Sequence, residues 1–377
     1  MKEKYLFFYF KTGWWHISAA KAVERYFGKK HPDTEILLVD GFGWSSPIVK
    51  SIVEWGYANA QSYAQWAYEF LYLLNKNYFI ARLNQFLLSY FTKSYITKTI
   101  KQEQPDKIII FHFFLVQPVL AALNKLWLDI PVITVVTDPF TATRTWFMEK
   151  SMHYVVYSER IRLYAMSLGI QEKNIVVCPP IIHEKFSLLP SEQEKNTIKQ
   201  SLDLSLDKKI ILLLGSWDGF PKWIATLTRI ARYHLDAHVL IVCGRNKRLA
   251  TQAQKIKDSY PHLSLHIYGF VDNVDALINI SDIVLTKWWP AALFEILLCK
   301  KIPLINTYMW EQEKWNVQFV VDNGMGIYEP NTKKLVHHIK VLLDGDLSTY
   351  HTNRDAVPLK IGTQEIAEHI KEYGENS

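Results

Sequence analysis

The segment Asp282-Ile-Val-Leu-Thr-Lys-Trp-Trp-Pro-Ala-Ala-Leu-Phe-Glu295 reads as a strand, a turn and the opening of a helix. Ile283–Leu285 is a brief apolar run, as a buried parallel strand requires. Pro290 suits the first helical position, where its missing N–H has no partner to lose. The same order recurs along the chain. Expected strands are Tyr5–Phe10, Glu35–Val39, Lys107–Phe111, Val132–Thr137, Tyr154–Val156 and Ile175–Val177. A second series is Ile210–Leu214, Ala237–Val242, Ser264–Tyr268, Ile283–Leu285 and Pro303–Ile305. Strand–helix alternation of this kind predicts an α/β protein of two doubly wound units.

The break falls after Cys178-Pro-Pro180, which predicts domains over 1–185 and 186–377. The polar stretch Leu189–Asp207 leads into the second series, with few apolar residues to tie it to a core. The last helix is expected over about 362–373. Ile366 and Ile370 share one of its faces, which allows it to pack back on the first domain.

Composition bounds the rest. The chain has 377 residues, 49% hydrophobic and 21% charged, which excludes a disordered protein. The 43 basic and 37 acidic residues give a net charge of +6. That mild excess fits an anionic membrane surface or a phosphorylated ligand, and charge alone does not dismiss nucleic acid. Cys178, Cys243 and Cys299 are too few and too scattered for a disulfide framework or a zinc site. No stretch approaches the ~20 apolar residues of a membrane span. Met1–Phe10 lacks the form of a signal peptide, so a cytoplasmic protein is expected, peripheral to a membrane.

One insertion interrupts the rhythm. Residues 44–104 are helical in pattern, rich in aromatics and threaded with Lys50, Lys76, Arg82, Lys93, Lys98 and Lys101. Such a mixture suits lipid headgroups, and equally suits helices buried on the sheet.

Four turns carry the chemistry. Thr12-Gly13-Trp14-Trp15-His16 follows the first strand and opens a helix, where free amides meet an anion or a reacting hydroxyl. His16 there either serves as a general base or merely braces the turn. Thr137-Asp138 ends a strand, with Arg144, Trp146 and Phe147 beyond it; Asp138 either deprotonates an acceptor or caps backbone amides. Gly215-Ser216-Trp217-Asp-Gly219 ends the first strand of the second series and suits a phosphate. Lys287, then Pro290 and Ala291 at a helix start, place cationic and amide groups together, with Glu295 within reach of a ribose diol. Gln312, Glu313 and Asn316 follow the next strand and can read sugar hydroxyls.

The order of these motifs resembles the monogalactosyldiacylglycerol synthase and processive diacylglycerol glucosyltransferase family across nearly the whole chain. It is more distantly similar to the enzyme that adds N-acetylglucosamine to the peptidoglycan lipid precursor. The most specific stretches are Val135-Val-Thr-Asp138 with Thr145-Trp-Phe147, Gly269-Phe-Val-Asp-Asn273, Asp282–Lys287, and Gln312–Val317 with Val320-Val-Asp-Asn-Gly324. The resemblance implies the GT-B fold, two Rossmann-like domains facing a cleft. It implies inverting, metal-independent transfer with no cofactor. UDP-galactose or UDP-glucose is the donor, diacylglycerol or a similar lipid is the acceptor, and no nucleic acid is involved. Carried over, His16 and Asp138 match catalytic positions, and Gly13 and Trp146 lie on the acceptor side. Gly215, Ser216, Phe270, Val271, Lys287, Pro290, Ala291, Glu295, Gln312, Glu313 and Asn316 match the donor side, with Phe270 and Val271 in the segment that holds the uracil.

The departures are systematic. The family's first turn reads Thr-Gly-Gly-Gly-His, and tryptophans stand here at 14 and 15. Trp217, Trp288, Trp289 and Trp315 lie where further glycines are usual, with Trp223 near the second of those turns, and Thr143 stands where a histidine is usual. Tryptophan disfavours a positive φ and fills the volume that glycine leaves for phosphate. A blocked donor pocket is therefore expected. Two other readings share the scaffold: a non-catalytic lipid-binding protein, and a UDP-sugar 2-epimerase. The aromatic insertion counts against the epimerase, which needs no lipid groove.

Overall fold

Runs of Ile, Val, Leu and Phe form two separate parallel sheets in the computed structural model. It describes residues 2–11, 14–43, 73–74, 77–215, 222–308 and 310–374, with the backbone alone at 14 and 310–312. The chain divides into one unit of Met1–His183 with Lys360–Ser377, and a second of Glu184–Leu359.

The first sheet holds β1 (Glu3–Tyr9), β2 (Thr34–Asp40), β3 (Lys107–Ile110), β4 (Val132–Val135), β5 (His153–Val156) and β6 (Ile175–Val177). Their order is β2-β1-β3-β4-β5-β6, every pair parallel. The inner strands β3, β4 and β5 are buried on both faces, which is why they are largely apolar. On one face lie α1 (Trp14–Lys30), through Ala19, Val23 and Phe27, and the chain's last helix. On the other lie α2 (Tyr78–Glu103) and α3 (Val116–Leu126), through Ile96, Ile100, Val119 and Ala122. The helix α4 (Glu159–Ser167), capped by Ser158, joins β5 to β6.

The second sheet holds β7 (Lys209–Leu214), β8 (Ala237–Val242), β9 (Leu265–Tyr268), β10 (Ile283–Thr286), β11 (Ile302–Ile305) and β12 (Ile327–Tyr328), in the order β12-β11-β10-β7-β8-β9. Counted from β7, that is the 3-2-1-4-5-6 order of a dinucleotide-type fold. Its helices are α5 (Glu192–Ser201), α6 (Trp223–Arg232), α7 (Lys247–Ser259), α8 (Val274–Ile280), α9 (Pro290–Leu298), α10 (Trp310–Asp322), α11 (Thr332–Asp344) and α12 (Ser348–Ala356). The polar stretch before β7 forms α5, which buries no residue and is fixed by a reciprocal cap between Ser191 and Glu194.

The final helix, α13 (Thr363–Glu372), packs on the first unit: Ile366, Ala367 and Ile370 are fully buried with Tyr5, Phe7 and Phe27. Its entry is fixed by a close approach. The Gly362 N–H donates to the Pro180 carbonyl at 2.9 Å, and a Cβ on Gly362 would stand 1.9 Å from the Pro179 oxygen. Residues 360–374 therefore belong with the first unit, not with the domain predicted over 186–377.

Candidate active site residues at two sheet crossover points

In open α/β sheets a ligand site forms where the strand order reverses, beyond the strands' C-terminal ends. In the first unit that point lies between β1 and β3. The chain leaving β1 enters α1, whose first turn carries His16; the chain leaving β3 carries His112. The two imidazoles meet edge to face at 4.7 Å. Nδ1 of His16 shares a hydrogen bond of 2.8 Å with the Thr137 hydroxyl, just past β4. Burial pushes the His16 imidazolium down to about 4, against a smaller opposing effect from the Phe111 backbone.

Asp138 follows Thr137. The fully buried indole of Trp146 donates Nε1–H to Asp138 Oδ2 at 2.7 Å. Burial still dominates and raises this carboxyl to about 6, the indole lowering it only in part. Trp146 belongs to a 3-10 turn over Arg144–Phe147. That turn is tied to α2, where the buried Gln85 amide donates to the Thr145 carbonyl at 3.1 Å. Trp146 thus reaches Asp138 directly, through a hydrogen bond rather than through an acceptor. Trp15 donates Nε1–H to the Thr137 carbonyl and meets Tyr157 edge-on at 6.5 Å. Gly13 and the Trp14 side chain lie outside the described residues.

In the second unit the crossover lies between β7 and β10. The Thr286 hydroxyl donates to the Leu214 carbonyl at 2.9 Å and joins the two strand tips. Gly215 is buried beside them; Ser216 and Trp217 lie outside the described residues. Lys287 is buried. Its ammonium stands 5.3 Å from the Trp288 ring centre and 4.8 Å from that of Trp289. Trp288 is buried and Trp289 half-buried. Trp289 is the N-cap of α9 and supplies no side-chain acceptor, so Pro290 and Ala291 open a helix without a side-chain cap.

Glu295 lies on α9, half-buried. Burial raises its carboxyl to about 8, with Lys185 partly opposing, which favours at neutral pH the protonated form, able to donate as well as accept. On α10, the buried Asn316 amide donates to Glu313 and to the Trp288 carbonyl at 3.4 Å. That fixes the amide's orientation and leaves Asn316 Oδ1 buried without a hydrogen-bond partner among the described residues. The Gln312 side chain lies outside the described residues. Phe270, past β9, is exposed under the Arg245 guanidinium at 5.1 Å, with Val271 half-buried beside it.

One expectation about the tryptophans is corrected. Trp223 is a core residue: with Leu227, Ile230 and Ala231 it forms the inner stripe of α6 against Ile211 and Leu213. Trp315, on α10, is 36% exposed, with the Lys314 ammonium 6.0 Å from its ring centre. Nor is φ positive at any described tryptophan that stands where glycine is usual; Trp217 lies outside the described residues. Among the described non-glycine residues a positive φ occurs at Gln104, Trp127, Asp203, Lys222, His234 and Lys300, and Trp289 has φ −64°. What tryptophan removes here is volume, not conformational freedom.

His112 and Arg245 escaped the sequence reading. Each stands directly past a strand, His112 after β3 and Arg245 two residues after Cys243. Polar residues at such positions are the signal that could have found them.

The family model for monogalactosyldiacylglycerol (MGDG) synthase matches residues 16–182. The processive diacylglycerol β-glucosyltransferase of Bacillus licheniformis is 26% identical over 342 residues, spanning 88% of this chain and 85% of that protein. The chloroplastic monogalactosyldiacylglycerol synthase of Spinacia oleracea is 28% identical over 257 residues, 66% of this chain and 48% of that one. Among solved structures, Acinetobacter baumannii MurG superposes with a TM-score of 0.61 at 12% identity, covering 98% of this chain and 99% of its own. A putative UDP-N-acetylglucosamine 2-epimerase from Listeria monocytogenes gives 0.63 at 13% identity, covering 100% and 98%. These likenesses show the fold, GT-B with two Rossmann-like units, and not the reaction.

Proposed function

We propose that the chain, which resembles the monogalactosyldiacylglycerol synthases and processive diacylglycerol glucosyltransferases, is a UDP-hexose:diacylglycerol glycosyltransferase scaffold whose donor site is obstructed. The observation that carries the second half is Lys287, whose ammonium lies against two indoles at the β7–β10 crossover. A cation at that strand tip, beside the uncapped start of α9, is where a diphosphate would be neutralised. A cation–π contact holds an indole by only roughly 0.5–2 kcal/mol. The larger obstacle is the rings' volume.

In the unobstructed scaffold, Asp138 takes the proton from the lipid hydroxyl. The hydroxyl oxygen bonds to the anomeric carbon as the bond from that carbon to the phosphate oxygen breaks. UDP leaves carrying the electron pair, and Lys287 with the α9 amides receives its charge. The sugar inverts, and the step needs no metal. A carboxyl near 6 is better matched to neutral pH than an imidazole near 4, which favours Asp138 over His16 as the base. His16, bonded to Thr137, shapes the acceptor side. On the donor side, protonated Glu295 suits a ribose diol. Gln312, Glu313 and the unpartnered Asn316 oxygen suit the hexose hydroxyls, galactose or glucose. Gly215 and Ser216 suit the phosphates, and Phe270 and Val271 the uracil.

Calorimetry tests the obstruction. The chain with W288G and W289G is expected to bind UDP at least ~tenfold more tightly than the unchanged one. Micromolar UDP binding by the unchanged chain would overturn the proposal. An obstructed donor site also favours a second reading, a lipid-binding protein without transfer. Product analysis with labelled UDP-galactose and UDP-glucose on diacylglycerol vesicles separates the two, and exposes an epimerase by its altered nucleotide sugar.

A further inference from the structure

The N-terminal end of the second sheet carries a connected chain of four polar side chains, away from both crossover points. His238 is the second residue of β8, Ser264 stands just before β9, and His266 lies within β9. Val239 pairs with Leu265 in register, which sets His238 beside Ser264. Ser205 reaches His238 from the turn between α5 and β7. Asp203 takes φ 55° as the chain leaves α5. The buried Leu204 then pins the turn, its N–H donating to the Lys199 carbonyl at 2.9 Å. Ser205 is exposed and His238 is buried.

The hydrogen bonds fix the tautomer of His238. The Ser205 backbone N–H donates to Nε2 at 3.0 Å, and an amide N–H can only donate. Nε2 therefore carries the lone pair, and the proton of the neutral ring sits on Nδ1. From there it is donated to the Ser264 hydroxyl oxygen at 2.7 Å. The Ser205 hydroxyl, 2.7 Å from the same Nε2, also donates to it. A hydroxyl on the unprotonated nitrogen of an imidazole whose other nitrogen is held by a third group is the arrangement that makes a serine nucleophilic. Ser264 shares a further hydrogen bond of 3.3 Å with Nε2 of His266. Burial favours the neutral ring of His238 and lowers it from its ordinary value. Lys208 and Lys199 add to that effect, and Asp207 and Asp236 oppose it. Burial lowers His266 as well, followed by His238 and Lys257, with Asp203 opposing.

We propose that Ser205 is a nucleophile that takes an acyl group from an ester, with His238 as its base and Ser264 as the residue that positions that base. Ser205 Oγ bonds to the carbonyl carbon of the ester as its proton passes to His238 Nε2. The bond from that carbon to the ester oxygen breaks, and the leaving oxygen keeps the electron pair and takes the proton from His238. A water oxygen then bonds to the acyl carbon, giving its proton to the same nitrogen. The acid departs as the bond to Ser205 Oγ breaks, and Oγ recovers the proton. The exposed hydroxyl gives an ester access, and the pinned turn holds it against the ring. This activity is separate from the proposed sugar transfer and does not rest on it, since the site lies at the opposite end of the sheet from the β7–β10 crossover.

Labelling of the full chain with a fluorophosphonate, mapped by peptide mass spectrometry, tests the nucleophile, and hydrolysis of p-nitrophenyl acetate tests the turnover. One phosphonyl group is expected, on Ser205, and S205A should lose most of the hydrolysis. H238Q keeps an acceptor for the Ser205 amide but has no base, so it should label at least ~100-fold more slowly. The labelling rate of the unchanged chain should rise from about pH 5 and level off by about pH 8, as the imidazole becomes neutral. This profile decides the matter even if H238Q fails to fold. S264A should still label, with the midpoint of its profile displaced downward, because the imidazolium loses an acceptor. A merely structural Ser264 would leave the midpoint where it was. An unlabelled Ser205, equal labelling of folded H238Q, a rate without the pH step, or ester hydrolysis that S205A retains in full would each overturn the proposal.

Discussion

Asp138 meets opposed demands. As the proposed base it must ionise near neutral pH, yet burial makes the ionised form costly and raises its pKa from 3.8 to about 6. Between those values the folded chain holds more protons than the unfolded one, so this group's stability contribution is present below pH 3.8 and lost as pH rises through about 6. At 1.36 kcal/mol per unit, D138N should stabilise the fold at pH 7.5 by up to about 3 kcal/mol. Asparagine keeps an acceptor for the Trp146 indole. The same change should abolish transfer in a glycine-restored chain, while W146F should retain some transfer with its pH profile displaced upward, since the indole that lowers the pKa is gone. Thermal melts at two pH values and a pH–rate profile check both; a D138N chain less stable than the parent at pH 7.5 would refute the account. That Asp138 stands just past a strand and Glu295 within the helix after β10 could be read in the sequence, because a strand-end turn precedes each. The indole that holds Asp138 was named, but its task was not. Sequence spacing cannot show a ring turned back eight residues.

Among the elements, α13 carries a pH-sensitive contact. Nε2 of His153 on β5 lies 2.7 Å from Nε2 of His369 on α13, and Tyr373 stacks on His153 at 4.3 Å. One shared proton satisfies the pair as neutral rings; further protonation sets cations together in a buried place. Burial lowers His153 from 6.5 to about 4 and lowers His369 as well, with Glu365 and Glu372 opposing the latter. The unfolded chain thus binds more protons between about pH 4 and 6.5, and stability present above pH 6.5 falls as the pH drops. For a coupled pair roughly 1–3 kcal/mol is expected across that window. Urea midpoints at pH 7.5 and pH 5 should show it, and H153Q should flatten the difference. An equal slope in H153Q would assign the acid sensitivity elsewhere. The strands themselves were readable because buried parallel strands are unbroken apolar runs; β12, two residues long, left no such run. The outer face of α2, where Phe79, Phe86 and Tyr90 are exposed, was legible only as composition, since a helix apolar on two sides does not say which side is covered.

For the whole molecule, the path of the chain decides which unit can stand alone. The second unit, Glu184–Leu359, is continuous. The first is completed by residues from the far end of the sequence. Ile366 and Ile370 are fully buried against Tyr5, Phe7 and Phe27, Lys371 pairs with Glu3 at 2.7 Å, and Tyr26 donates to Glu368 at 2.8 Å. Each buried isoleucine contributes roughly 1.5–3 kcal/mol, against about 5–15 kcal/mol for a whole domain. A chain ending at Leu359 should therefore lose most of the first unit's stability while the second keeps its own. Calorimetric unfolding should show one transition displaced to low temperature or missing and the other unmoved. G362A should act in the same direction by about 1–3 kcal/mol, because the added methyl meets a main-chain oxygen that has nowhere to go. The isolated segment 184–359 should fold cooperatively, and with W288G and W289G it should bind UDP as the full chain does. If that segment is unfolded while the full chain with both glycines binds UDP, the nucleotide site depends on the first unit, and the division of labour between the two units is wrong.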